Sequence, residues 1–116
     1  MKTVVLTKMQ QEEIAWKIEV AQTREEDELT PLEKRLDFDS LYQKLSVGKG
    51  RKKIKFTADE VIWIQSEMSN ALDLHGTPQY VGDRDAVGYS NMVGNLFDKL
   101  GVHYVGSIEA SKNEGL

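Results

Sequence analysis

The sequence predicts a mainly α-helical fold of four helices, built as two related helical hairpins with a minor pair of short strands. Two observations predict it. In each half, an apolar lead ending in Thr precedes a helical run that carries a Glu-(Ile/Val)-X-Trp phrase, at 13–16 and 60–63. Each half then ends on a Leu-X-X-Lys-Leu phrase, at 41–45 and 96–100. Two imperfect copies of one unit indicate an internal duplication in which each copy covers the apolar face of the other.

The starts and ends of the helices are well marked. Three starts fit the capping box, in which a Thr side chain accepts a hydrogen bond from an amide three residues later, and a Glu or Gln there accepts one from the Thr amide. These starts are Thr7 with Gln10, Thr30 with Glu33, and Thr57 with Glu60. Gly48, Gly76 and Gly101 follow helical runs and suit helix ends. The helices are therefore predicted at 8–27, 31–46, 58–75 and 84–100.

The segments between the helices predict short strands, a loop and a tail. The apolar leads at 3–6 and 53–56 are expected to pair with each other, and 102–105 is a third candidate strand. A length of 116 residues favours a single domain. Its predicted parts are a helical domain at 1–108, repeat units at about 3–48 and 53–101, a connecting loop at 76–83 and a flexible tail at 109–116.

The helix faces indicate where the core lies. The last helix carries a single apolar stripe, formed by Tyr89, Met92, Val93, Leu96, Phe97 and Leu100. In the first and third helices, Trp16 and Trp63 fall outside the main stripe. Either both helices are sandwiched and the Trp faces form a second core layer, or these faces are exposed and bind a partner protein or a second copy. The second alternative makes Trp16, Trp63, Met9 and Val20 the candidate partner-binding residues.

A cationic segment lies in the Gly-containing connection before the second lead. Five of the fifteen Lys and Arg residues fall within 49–55, namely Lys49, Arg51, Lys52, Lys53 and Lys55. Clustered cations can hold phosphate groups or an acidic protein surface, which makes these residues a candidate anion-binding site. The alternative is a solvated segment in which Lys protects the edge of a short strand. The glycine spacing matches neither a P-loop nor a dinucleotide-binding loop.

Composition narrows the classes of function. The net charge is −4, and residues 59–116 hold 3 Lys and Arg against 9 Asp and Glu, which argues against a basic nucleic-acid-binding domain. The absence of Cys excludes disulfides, thiolate metal ligands and thiol catalysis. No apolar run is long enough to span a membrane, so we expect no membrane partner. The two histidines lack the spacing of metal ligands, and we expect no metal, no cofactor and no catalytic residue.

The chain resembles the small helical accessory proteins of phages and mobile elements. The resemblance rests on a short chain without Cys, on leads that end in Leu6-Thr7 and Phe56-Thr57, and on the Leu-X-X-Lys-Leu helix ends of both halves. It implies a protein that binds and modulates a host protein, a nucleic acid or a signalling nucleotide.

These features predict a small cytoplasmic interaction protein that is not an enzyme. We expect it to bind and modulate or inhibit a larger host or partner protein, and to form a homo-oligomer. The alternative is a nucleotide- or nucleic-acid-binding module that uses residues 49–55. Salt dependence separates the two, because phosphate contacts weaken steeply as the salt concentration rises and an apolar Trp interface does not.

Overall fold

The structure, a computed structural model, describes residues 1–45, 50–75 and 86–105. Within these residues the chain is mainly helical, as predicted, with one two-stranded sheet. The elements in chain order are β1 (Lys2–Leu6), α1 (Lys8–Gln22), a 3₁₀ turn (Glu26–Glu28), α2 (Pro31–Arg35), α3 (Phe38–Lys44), β2 (Lys52–Phe56), α4 (Ala58–His75) and α5 (Ala86–Leu100). The predicted loop at 76–83 and tail at 109–116 lie outside the described residues, as do Gly48 and Gly76.

The capping boxes determine where three of the helices begin. In all three, the Thr hydroxyl accepts from the amide three residues later, and the side chain there accepts from the Thr amide. The shortest of these bonds joins the Thr57 amide to Glu60 Oε1 at 2.7 Å. At the other end of the fold, Gly101 has a φ of +72° directly after α5. This left-handed conformation confirms Gly101 as the residue that ends the helix.

The two apolar leads pair as an antiparallel ribbon, which confirms the predicted strand pairing. Val4 lies opposite Ile54, and both are buried together with Leu6 and Phe56. Alternate residues of the ribbon point away from the core, so that Lys53 lies on the outer face, opposite Val5.

The prediction of a third strand at 102–105 is wrong. The segment forms no strand; it follows α4 instead, and polar side chains of that helix bind its backbone. Gln65 Nε2 donates to the His103 carbonyl at 2.8 Å, and the Val105 amide donates to Ser69 Oγ at 3.1 Å. Because these groups are bonded to side chains, they are not available for a ladder with β1 or β2.

The helix predicted at 31–46 is two short helices. Leu36 leaves the helical conformation with a ψ of 140°, and Asp37 begins α3 as a new cap, its side chain accepting from the Ser40 amide at 3.0 Å. The first helix is also shorter than predicted and ends at Gln22. Thr23 follows it and donates its hydroxyl to the Val20 carbonyl at 2.6 Å, after which the acidic stretch forms the 3₁₀ turn.

The core lies between the ribbon and the helices α1, α4 and α5, and α2 and α3 cover a further side of α4. The whole predicted stripe of α5 is buried. Helix α4 is buried on several sides, because Trp63, Ile64 and Met68 are all fully enclosed. Phe38 of α3 meets the Trp63 ring edge to face, with centroids 5.2 Å apart. The predicted second core layer is therefore present around α4.

Within the described residues, the two halves of the chain are alike at their beginnings and then differ. Each begins with a strand, a capping Thr and a long helix, but the first half continues with two short helices and the second with α5. The equivalent tryptophans also differ, because Trp63 is fully buried and Trp16 is 49% exposed. The internal duplication into two hairpins stays a prediction.

Candidate functional site

The outer face of α1 presents an apolar surface to solvent. Met9 is 61% exposed and Trp16 is 49% exposed, and Val20 is half-buried beside them. At 100° per residue, positions 9, 16 and 20 fall within about 40° of one another on the helix. We call these three residues the α1 apolar face. The buried residues of the same helix, such as Ile14 and Ile18, lie on its other side, so the core of the chain is closed without this face.

Trp63, the fourth candidate partner-binding residue, belongs to the core. Its ring is fully buried, and its Nε1 donates to Glu33 Oε2 at 3.0 Å. In the folded chain it therefore presents no surface to a partner, which corrects its placement with Trp16. The physical reason is that α2 and α3 cover this side of α4, whereas nothing in the described chain covers the equivalent side of α1.

Glu33 joins three elements through one buried carboxylate. Its Oε1 accepts from the Thr30 amide at 3.1 Å and completes the capping box of α2. Arg24 Nη1 donates to Oε2 at 3.0 Å, and Trp63 shares the same oxygen. Because the Glu33 side chain is only 1% exposed, these donors replace the water that an ionised carboxylate needs.

A cleft of about 330 Å³ opens next to this network. It lies between the exposed side of α1, the start of α2 and the middle of α4. Its lining includes Trp16, Lys17, Arg24, Glu33, Glu67 and Asn70. Val20 also lines it, so the cleft is continuous with the α1 apolar face and forms one candidate site with it.

Glu67 is the polar group of the cleft with the least favourable surroundings. Burial raises the pKa of its carboxyl group above the ordinary value of 4.5, and the Arg24 guanidinium opposes this shift. The neighbouring Glu33 raises the pKa further, and Lys17 lowers it. Among the described residues Glu67 has neither a hydrogen bond nor an ion pair. A hydrogen-bond donor entering the cleft would therefore satisfy Glu67.

The two cations of the cleft already have partners within the chain. Lys17 Nζ lies 4.7 Å from the centroid of the Trp16 ring, and Arg24 pairs with Glu33. The cleft thus offers an aromatic wall and an acceptor carboxylate to a ligand.

The cations of the basic segment at 49–55 do not lie on one surface, because successive side chains of β2 point to opposite faces of the ribbon. Lys53 and Lys55 lie on the outer face of the ribbon and are exposed, whereas Lys52 points to the same side as the buried Ile54. Arg51 lies near Lys99 of α5, where burial lowers the pKa of the Lys99 ammonium and the Arg51 charge lowers it further. Lys49 lies outside the described residues. Of the cations at 50–55, which the structure describes, Lys53 and Lys55 share one exposed face.

Sequence reasoning offered an exposed apolar face as one of two alternatives, the other being a second core layer, and it missed the cleft. Glu67 follows Trp63 by one helical turn, and this spacing is the signal that could have placed Glu67 on the same side of α4 as Trp63. The pairing of Arg24 with Glu33 had no such signal, because the two residues are separated by the 3₁₀ turn.

No protein-family model, curated protein or solved structure matches the chain. Among the described residues, no group of three or more His, Asp or Glu side chains could hold a metal ion. No helix in the described part of the chain has the length and apolarity needed to cross a membrane.

Proposed function

We propose that the chain is a small, non-catalytic interaction protein that binds a larger partner protein through the α1 apolar face and modulates or inhibits it. One observation carries the proposal: Met9 and Trp16 are largely exposed on one side of a helix whose other side completes the core. Exposed apolar patches of this kind mark binding surfaces, and Trp is among the most frequent anchors of protein interfaces.

The energy available from this face is considerable for a small interface. Trp16 is 49% exposed, and a Trp side chain buries up to roughly 200 Å², so covering it removes about 100 Å² from water. At about 25 cal/mol per Å² this burial contributes at most about 2.5 kcal/mol, or roughly 70-fold in affinity before the entropy cost of association is subtracted. Met9 and Val20 add to this value if the partner covers the whole face.

A second copy of the chain is the other candidate occupant of this face, as the predicted homo-oligomer requires. The mass in solution distinguishes the two. A dimer that separates when Trp16 is replaced by Ala assigns the face to self-association, whereas a mass near 13.1 kDa at high concentration leaves it free for a different protein. The proposed setting is the cytoplasm, and an accessory protein of a phage or mobile element would act there on a host target.

The proposed binding is tested with a matched pair of surface variants. Trp16→Ala and Val5→Thr both alter a side chain that is nearly half exposed, at 49% and 46%, but Val5 lies on the outer face of the ribbon. Proteins captured from a lysate of the source cell are compared for the wild type and both variants, and direct binding of each candidate is then measured by calorimetry. A partner that is lost with Trp16→Ala and kept with Val5→Thr supports the proposal. Equal binding to all three proteins contradicts it.

A second candidate function rests on Lys53 and Lys55. Both are exposed on one face of β2, and none of the ion pairs among the described residues includes them. Two free cations on a strand face can contact an anionic partner such as a nucleic acid. Replacing both by Ala should weaken binding to a single-stranded oligonucleotide and reduce the slope of log affinity against log salt by about two units. An unchanged slope leaves these residues as protection of the strand edge.

A further inference from the structure

The cleft beside Trp16 holds four charged side chains, and three of them are accounted for. Arg24 and Glu33 form an ion pair at 3.0 Å, and Lys17 lies over the Trp16 ring. Glu67, which is half-buried, makes no hydrogen bond or ion pair with the described residues, although the charges of Arg24 and Lys17 act on it from nearby. An incoming group that satisfies the cleft must therefore donate hydrogen bonds to a carboxylate.

The shape of the cleft limits the size of that group. Its volume of about 330 Å³ lies at the lower end of the range of ligand pockets, roughly 300–1,000 Å³. One long side chain fits this volume.

We propose that the cleft receives a cationic side chain of the partner protein, arginine in the first place, with the Glu67 carboxylate accepting its N–H groups and the exposed part of Trp16 packing against its plane. This inference rests on the proposed function and names the chemistry of the partner. Arginine is favoured over lysine because its planar guanidinium combines stacking on an aromatic ring with a fork of donors for a carboxylate.

The charges of the cleft argue against an anionic ligand. Lys17 and Arg24 are the cations that would bind it, and both already have partners within the chain. Glu33 and Glu67 would repel it. Burial also raises the pKa of Glu67, which shows that its ionised form is poorly solvated and would gain from a nearby positive charge.

The test uses Nα-acetyl-arginine methylamide as the probe, titrated into the full chain and followed by the indole N–H resonances in an NMR spectrum. The resonance of Trp16 should shift in a saturable manner, and that of the buried Trp63 should stay in place. The matched probe is the citrulline derivative, which has the same shape and carries no charge. It should bind more weakly by up to about fivefold, the upper range for a partly exposed ion pair.

Two variants should change the affinity for the arginine probe in opposite directions. Glu67→Gln keeps the shape of the side chain and should weaken arginine binding by up to about fivefold. Lys17→Met removes a competing cation from the Trp16 ring and should strengthen it. Glu26→Gln, in the exposed 3₁₀ turn, is the control and should leave the affinity unchanged. An unmoved Trp63 resonance in each variant shows that the fold is intact.

Three results overturn the inference: equal binding of arginine and citrulline, an unchanged affinity in Glu67→Gln, or tighter binding of an Nα-acetyl-glutamate probe. The experiment needs no partner, so its outcome is separate from that of the proposed function. If the probe fails while a partner binds through Trp16, only the cleft assignment is wrong. If the probe binds as expected and Trp16→Ala affects no partner, the proposed function is wrong and the cationic site remains.

Discussion

Replacing Glu33 by Gln should destabilise the fold, although the new side chain has the same shape and can still cap a helix. Gln10 occupies the equivalent position of the first capping box, which shows that an amide is accepted there. Position 33 differs from position 10 in its tertiary contacts. Oε1 of Glu33 accepts from the Thr30 amide and from Arg24 Nη1, and Oε2 accepts from Arg24 Nη1 and Trp63 Nε1. An amide has a single oxygen, so it can serve only one of these sides and must turn its NH₂ group toward a donor on the other.

The magnitude follows from the groups that lose their acceptor. A buried donor left unsatisfied costs about 1–3 kcal/mol, whether it is the Thr30 amide or the Trp63 indole. The lost ion pair adds about 0.5 kcal/mol, because the Arg24 side chain is 32% exposed and screened by water. The expected loss is therefore about 2–3 kcal/mol in the free energy of unfolding, or roughly 10 °C in melting temperature.

Urea unfolding of Glu33→Gln, Trp63→Phe and the double variant measures this effect. Phe cannot donate a hydrogen bond, so the Trp63 substitution should cost less when Glu33 is already replaced, with a coupling of about 1 kcal/mol. Glu28→Gln, on the exposed 3₁₀ turn, is the control and should leave the unfolding curve unchanged. A Glu33→Gln variant as stable as the wild type, or additive effects in the double variant, would refute the reasoning.

Three further predictions concern local structure and pH. Gly101→Ala should destabilise the chain by about 1 kcal/mol because φ is +72° there. Gly94→Ala, inside α5 with open space around it, should stabilise the chain by about 0.5–1 kcal/mol. Effects of the same sign in thermal unfolding would contradict this pair of predictions. Asp37→Ala should cost about 1 kcal/mol through loss of the α3 cap, measured by urea unfolding, and no loss would mean that Asp37 does not begin the helix. Because the raised pKa of Glu67 lets the folded state hold its proton more tightly than the unfolded chain, stability should fall as the pH rises from about 4.5 through that pKa. Glu67→Gln should remove this fall, and identical pH profiles of the two proteins would show that Glu67 is not responsible.

The candidate site was predictable only in part. The position of Trp16, outside the main stripe of its helix, left open whether its face is a second core layer or an exposed surface, and the side chain is 49% exposed. The same alternatives applied to Trp63, and its choice as a partner-binding residue was wrong, because periodicity reports the direction of a side chain and not what covers it. Phe38 and the Glu33 carboxylate meet Trp63 from another part of the chain, and no local pattern announces such contacts.

The basic segment is a second case in which the local sequence did not predict the arrangement in space. Its five cations are adjacent in sequence, but a strand sends alternate side chains to opposite faces. Lys53 and Lys55 consequently share the outer face of the ribbon, and Arg51 lies near Lys99 of α5. Density of charge along the chain was therefore a poor guide to density of charge in space.

The sequence by itself determined the local signals: the three capping boxes, the left-handed Gly101, the pairing of the two leads and the apolar stripe of α5. The capping boxes and Gly101 depend on residues close in sequence, and the stripe of α5 depends on the helical period. The pairing of the two leads, which are distant in sequence, depends on the apolar character that both share. Only the tertiary structure decided what the capping residues do besides capping. Gln10 donates to the Met92 carbonyl of α5 at 3.3 Å, Glu33 accepts from Trp63 of α4, and Glu60 pairs with Lys44 of α3 at 2.6 Å. Gln10, Glu33 and Glu60 are all buried. A buried polar group must find its remaining hydrogen-bond partners wherever the packing brings them.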